Sequence, residues 1–203
     1  IMVKNYFNLK KFEESINIGF FTSKGGVSNG NYFSLNCNYG NQDKKSNVIK
    51  NLDIVRNKLG IQDKKLILIN QIHSNKIYSI TKKNFNNKYY GDGLVSKDKN
   101  FALAVLTADC APIVLFDIDK KIICCLHSGW KGALLNIINR GIKKLKSSKI
   151  KNNNIIAVVG PCLGIKHFEV DKNFKKKFIK KNTSYIKYFK SKNKDKDLFD
   201  LRG

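Results

Sequence analysis

Little in this chain stiffens or cross-links it. Two prolines, one methionine, one tryptophan and three histidines among 203 residues leave few specialised positions. No run approaches the roughly 18 consecutive apolar residues of a membrane helix, and residues 1–10 lack the apolar block that opens a secretion signal. Five cysteines, Cys37, Cys110, Cys124, Cys125 and Cys162, form an odd set with no CxxC pair. That argues against a disulfide framework and for a reducing cytoplasm. Arginine is scarce too: of 39 basic residues only Arg56, Arg140 and Arg202 carry a guanidinium.

What is abundant is lysine, and net charge reaches +24. Such a balance raises nucleic acid or an anionic membrane as partner. Against this, base and phosphate recognition favours the arginine fork, and the lysine excess accompanies an excess of asparagine and isoleucine, as A+T-rich coding produces. Two readings stand: a solvated lysine surface without a dedicated polyanion, or weak, salt-sensitive, non-specific binding. Neither implies a specific nucleic acid or a membrane, and the charge helps attract small anions. With 42% hydrophobic and 27% charged residues, the chain suits one domain over 1–203.

Periodicity predicts the elements. A loop rich in Gly, Ser and Asn spans Thr22 to Gly30, and a helix follows over Asp43 to Leu59, with Val48, Leu52, Val55 and Leu59 on one face and Gly60 as its stop. Short β-branched or apolar runs at 66–69, 76–80, 93–95, 101–106, 113–116 and 122–126 read as strands. The short polar link over 117–121 implies an antiparallel hairpin. A second helix, beginning near Ala133, carries Leu134, Ile137, Ile138, Ile142 and Leu145 inward. A strand at 155–159 ends at Gly160-Pro161, a helix with Phe174, Phe178 and Ile179 inward covers 173–181, and 187–197 reads as a loop. The expected class is α+β with a central, largely antiparallel sheet.

Two of the three histidines lie just past a predicted strand: His73 in Asn70-Gln-Ile-His-Ser74 and His127 in Leu126-His-Ser-Gly-Trp-Lys-Gly132. Thr107-Ala-Asp-Cys-Ala-Pro112 puts Asp109 and Cys110 at another strand end. Brought together, two imidazoles and a thiolate with an open fourth position suit catalytic zinc. The alternative is a satisfied histidine and an ordinary core cysteine, and spacing alone does not decide between them. Gly129 and Gly132 bracket Trp130 and Lys131 before a helix, an arrangement that favours an anion. Trp130 either stacks on a flat substrate or packs the loop. Adjacent Cys124 and Cys125 point to opposite faces and read as small apolar residues. His167 reads as structural or exposed, and Cys162 is ambiguous.

Taken together, Gly25-Gly-Val-Ser28 with Ser34-Leu-Asn36, Gln71-Ile-His73, Asp92-Gly-Leu-Val95, Leu106-Thr-Ala-Asp-Cys-Ala-Pro112, His127-Ser-Gly-Trp-Lys-Gly132, and Gly160-Pro-Cys162 with Phe168-Glu-Val170 resemble the YfiH-like family. That family is also called the laccase-domain, multicopper polyphenol oxidase or purine nucleoside phosphorylase family. The resemblance implies a layered αββα sandwich with an antiparallel or mixed sheet, and a metal site, usually zinc with copper as the older assignment, built from His73, Cys110 and His127. It implies phosphorolysis of adenosine, inosine, guanosine or methylthioadenosine and deamination of adenosine, by a monomer or homodimer. Where the family commonly has Thr-Arg before Gly-Gly-Val-Ser, this chain has Ser23-Lys24, and the arginine of HxGWRG is Lys131; lysine keeps the charge without the fork. The family pattern continues past Asp200-Leu201, so a missing C-terminal segment is expected.

For phosphorolysis, phosphate would be held by the metal, Lys131, Lys24 and the amides around Gly129, with Gln71 and Trp130 as further substrate contacts. For deamination, activated water would attack the purine with Asp109 as proton shuttle. A multicopper oxidase needs many histidines, and three exist. Other classes are a metal-free Cys-His hydrolase, with Cys110 as nucleophile and His127 as base, and a non-catalytic basic binding protein.

Overall fold

Seven-residue runs at Ala111–Asp117 and Ile122–Ser128 pair antiparallel in full register, from Ala111 opposite Ser128 to Asp117 opposite Ile122. They form the spine of a computed structural model that describes residues 6–8, 16–117, 119, 122–147 and 154–203. Residues 118, 120 and 121 of the expected hairpin link lie outside the described residues; the antiparallel pairing it implied is present.

In chain order the first elements are β1 (Tyr6–Asn8), β2 (Gly19–Phe21), α1 (Lys45–Leu59), β3 (Lys65–Ile67), β4 (Ile77–Ser79), β5 (Gly93–Ser96) and β6 (Phe101–Leu103). Then come β7 (Ala111–Asp117), β8 (Ile122–Ser128), α2 (Trp130–Leu134), α3 (Ile137–Lys146) and β9 (Ile156–Val159). The C-terminal part holds β10 (Glu169–Asp171), α4 (Lys172–Lys181), β11 (Phe189–Ser191) and β12 (Lys196–Phe199).

The five-stranded sheet runs β4-β5-β8-β7-β9. Its β4–β5 edge is parallel and every other pair antiparallel, so the sheet is mixed. Both faces are covered. On one, Val95, Ile113, Leu115, Cys124 and Leu126 pack with Ile137 and Leu145 of α3. Each fully buried leucine there stabilises the fold by about 1.5–3 kcal/mol. On the other, Leu94 and Ile80 meet Ile67 and Phe101 from the small parallel sheet β3–β6. Helix, large sheet and small sheet are therefore stacked in the layered α+β arrangement expected.

Local signals explain most boundaries. Helix α1 buries Val48 and Leu52 and ends on Gly60 in the left-handed conformation (φ 62°), whose amide returns to Arg56 and Asn57. Asn51 on the same helix is fully buried because its side chain organises the Gly-rich loop. It accepts from Val27 N (2.8 Å) and donates to Ser28 Oγ, Ser34 O and Asn36 O.

Two expectations need correction. The single helix from Ala133 onward is two helices, broken where Asn136 takes a left-handed φ of 56°. Asparagine tolerates that conformation, and the break turns Ile138 outward (40% exposed) while Ile137, Gly141 and Leu145 face the sheet. Residues 187–197, expected as a loop, contain β11 and the start of β12, which pair with each other, β12 pairing also with β10. Phe199 joins Val170, Phe178 and Trp130 in an aromatic cluster, and buried Asp197 pairs with Lys172 at 2.8 Å.

Candidate metal centre

The register of β7 and β8 builds the site. Cys110 precedes Ala111, and His127 sits opposite Pro112, so the start of one strand and the end of its neighbour meet. His73 arrives from the 70–76 segment, which is tied to the sheet by one buried carboxylate. Asp92 accepts from His73 N (3.0 Å), Ser74 N and Ser74 Oγ (2.7 Å), and its own amide donates to Lys76 O. These bonds hold His73 at φ 55°, a left-handed conformation that costs a non-glycine residue roughly 1–3 kcal/mol.

One ligand atom from each of His73, Cys110 and His127 lies within 4.8 Å of the others. A single ion with bonds of about 2.0–2.3 Å draws such a set together. The imidazoles meet edge to face, their centroids 4.9 Å apart. His127 is 3% exposed, Cys110 half-buried and His73 exposed, so the cluster opens to one side. Behind it lies Gly129, where a Cβ would fall 2.8 Å from Cys110 Sγ and 3.0 Å from His73 Cδ2. Only glycine leaves this cradle free.

His127 Nδ1 is 2.8 Å from Asp92 Oδ1, and the His127 amide donates to the Asp92 carbonyl. This fixes the ring and leaves Nε2 for the cluster. Burial pushes the Asp92 carboxyl upward, but hydrogen bonds from His127 and Ser74 outweigh it and hold it below the usual range. Burial likewise opposes charge on His127; the hydrogen bonds to Asp92 and Cys110 prevail and raise it to about 9. The two nitrogens and one sulfur, braced by a carboxylate, fit a borderline divalent ion such as zinc.

The other residues singled out in the sequence are placed as follows. Gln71 spends both ends of its amide on Leu106, donating to its carbonyl and accepting from its amide, each at 2.7 Å. It clamps the His73 segment to the one leading to Cys110, a positioning role. Asp109 is exposed beside Cys110, its carbonyl accepting from Leu163. Trp130 packs against Phe174 at 5.0 Å, with Lys131 and Lys177 each 5.5 Å from its ring, so it packs the loop. Lys131 is exposed one residue beyond, and Gly132 is buried. The helix after Gly129 runs only from Trp130 to Leu134, too short to provide the dipole expected for an anion. Lys24 is exposed in the loop after β2. His167 is exposed; burial raises the Cys124 thiol and lifts that of Cys125 to about 12, in keeping with apolar roles.

Asp92 and Ser74 stand in the Asp92-Gly-Leu-Val95 and Asn70-Gln-Ile-His-Ser74 segments quoted from the sequence, but the sequence assigned neither a role. The available signal was a carboxylate directly before the wholly buried strand Gly93–Ser96.

The family described as multi-copper polyphenol oxidoreductase laccase matches residues 17–203. The purine nucleoside phosphorylase RC0672 of Rickettsia conorii is 35% identical over 163 residues, covering 78% of this chain and 67% of the relative. The purine nucleoside phosphorylase YlmD of Bacillus subtilis is 27% identical over 180 residues, covering 84% and 65%. This chain thus spans about two thirds of the length of those relatives. Among solved structures, Neisseria meningitidis protein NMB0706 superposes with a TM-score of 0.86 at 26% identity, covering 98% of this chain and 80% of that one. Bacillus licheniformis YfiH shares the fold at a TM-score of 0.88 and 24% identity, covering 99% and 79%. On a match that runs through the whole site, this chain belongs to the multi-copper polyphenol oxidoreductase laccase family, the YfiH-like proteins.

Proposed function

We propose that this protein is a zinc-dependent purine nucleoside phosphorylase acting on adenosine, inosine, guanosine and methylthioadenosine, with adenosine deamination as a second activity. The observation that carries the reading is the convergence of His73, Cys110 and His127 with Asp92 behind His127. Relatives named purine nucleoside phosphorylase support the reaction class. Zinc held by the trio would supply a Lewis acid with an open coordination position.

The chain's own groups do the rest. Asp92 keeps the His127 Nδ1 proton in place, so Nε2 faces the site as a neutral donor. Lys131, exposed four residues after His127, is the residue we assign to offer charge to phosphate, and the net charge of +24 draws that anion in. In phosphorolysis a phosphate oxygen bonds to the anomeric carbon as the bond to N9 breaks. The electron pair leaves with the purine, which takes up a proton. In deamination water adds at C6, one of its protons passes to the amine, and the C–N bond breaks to release ammonia; exposed Asp109 is the group we assign to carry that proton.

A copper oxidase, the reaction in the family's description, finds little support in a chain with three histidines. A second reading has a specific observation behind it. His127 hydrogen-bonds both Asp92 and Cys110, a Cys-His-Asp set that would serve a metal-free hydrolase. A chelator separates the two: the metal enzyme loses turnover and regains it with zinc, whereas a metal-free thiol enzyme is untouched and dies with a thiol alkylator.

A further inference from the structure

Acidic residues are spread unevenly along the chain. Residues 64–91 and 120–168 contain no Asp or Glu, while basic residues recur through both stretches. The fold brings the two together: Asn75 Nδ2, from the segment that carries His73, donates at 2.7 Å to the carbonyl of Leu135, between α2 and α3. Where they meet, neither stretch supplies a carboxylate to offset the positive field.

A cavity of about 350 Å³ lies at this contact, and its lining includes Asn75, Leu135, Asn139, Arg140, Lys143 and Lys146. The volume falls in the ordinary range for small-molecule sites. Ile137, Gly141 and Leu145 turn one side of α3 to the sheet, and Arg140, Lys143 and Lys146 are exposed on another. They follow one another at three-residue steps, which the helical rise spaces about 4.5 Å apart along the axis. Among the described residues no carboxylate lies within ion-pair distance of any of these three cations. Arg56, by contrast, has its guanidinium committed to Asp53 and to the Gln62 carbonyl. The cavity is lined by no member of the trio, nor by Asp92.

A row of cations on one wall, the first of them a planar fork, suits several linked phosphoryl groups better than one. The fork takes two oxygens of one phosphoryl group in a bidentate pair, and the two lysines meet the groups that follow as point charges. The Asn139 amide adds a donor and an acceptor, and Leu135, 42% exposed, adds an apolar surface for whatever the phosphates carry. We infer that this cavity is a second ligand site, separate from the candidate metal centre, which holds a small linear polyphosphate, free or as the tail of a nucleoside polyphosphate, on Arg140, Lys143 and Lys146. The inference is independent of the phosphorylase reading: the single phosphate of that reaction is a different ligand in a different place.

The test is calorimetric titration of the purified, metal-loaded protein with inorganic tripolyphosphate, ATP and inorganic phosphate. The first two are added as magnesium complexes, and bound metal is measured before and after each run. Wild type should bind tripolyphosphate at least about tenfold more tightly than phosphate, and Arg140→Ala and Lys143→Ala should each weaken that binding about tenfold, the loss of one charge-assisted contact. Lys144→Ala removes the same charge from the same helix outside the cavity and should change it less than about twofold. Cys110→Ala, which breaks the trio, should bind as wild type does. ATP held more tightly than tripolyphosphate assigns the site to nucleoside polyphosphates; equal or weaker binding of ATP assigns it to free polyphosphate. No binding of tripolyphosphate, equal losses in Arg140→Ala and Lys144→Ala, or loss in Cys110→Ala overturns the assignment. So does a single-stranded oligonucleotide that binds through Arg140 more tightly than tripolyphosphate, because the face is then a strand surface.

Discussion

Asp92 Oδ1 lies 2.8 Å from His127 Nδ1, and the same carboxylate accepts the amide of His73 at 3.0 Å. One fully buried aspartate thus orients two of the three candidate ligands, one through its ring and the other through its backbone. Replacing it with asparagine keeps one acceptor and sets an NH2 donor either against His127 Nδ1 and the His73 amide or against the Ser74 amide, so one half of the clamp is lost. Asp92→Asn should weaken zinc affinity about 10–100-fold. Chelator competition measures this; unchanged affinity would detach Asp92 from the site.

Gly129 tests the geometry from the other side. Gly129→Ala pushes a methyl to within 2.8 Å of Cys110 Sγ and 3.0 Å of His73 Cδ2. The variant should keep its far-ultraviolet circular dichroism and lose most of its bound metal. Full metal occupancy would mean that the trio is wider than described.

Metal uptake should be pH-linked. In the metal-free fold His127 titrates near 9 instead of 6.5, raised by Asp92 and Cys110 against the effect of burial. A raised histidine stabilises the fold fully below pH 6.5 and loses that contribution as pH rises through about 9. The melting temperature of metal-free protein should therefore fall across this window, and less so in Asp92→Asn. Between these pH values zinc binding should expel a proton, seen as a buffer-dependent binding enthalpy. A flat melting profile and no proton release would contradict the pairing.

The buried Asn51 amide supports the Gly-rich loop through four hydrogen bonds. Asn51→Ala leaves Val27 N and the Asn36 carbonyl without this partner and takes one of two donors from the Ser34 carbonyl, a loss of about 2–4 kcal/mol. Urea unfolding reads it directly, and a change within 0.5 kcal/mol would show that water replaces the amide.

The trio could be named because each member follows or precedes an apolar run and a short polar link announced that β7 and β8 are neighbours, while the family resemblance, not the spacing, implied that the three act together. The role of Asp92 was not legible: its partner His127 lies 35 residues on, and nothing local distinguishes a carboxylate turned into the core. The break at Asn136 hid inside an unbroken apolar period, since one left-handed residue leaves no mark on hydrophobic spacing. Strand β12 was masked by lysines. Phe199 and Asp197 are buried by pairing with distant β10 and Lys172, contacts that composition does not show. For Trp130 the sequence left substrate stacking and loop packing open; its neighbours in space are Phe174 and Phe178.

The most direct test of metal-dependent phosphorolysis is elemental analysis of the purified protein together with phosphate-dependent release of hypoxanthine from inosine and adenine from adenosine, for wild type and Cys110→Ala. We expect about one zinc per chain and turnover that requires phosphate, both lost in the variant. Turnover in a metal-free protein, or turnover that survives Cys110→Ala, would contradict the account.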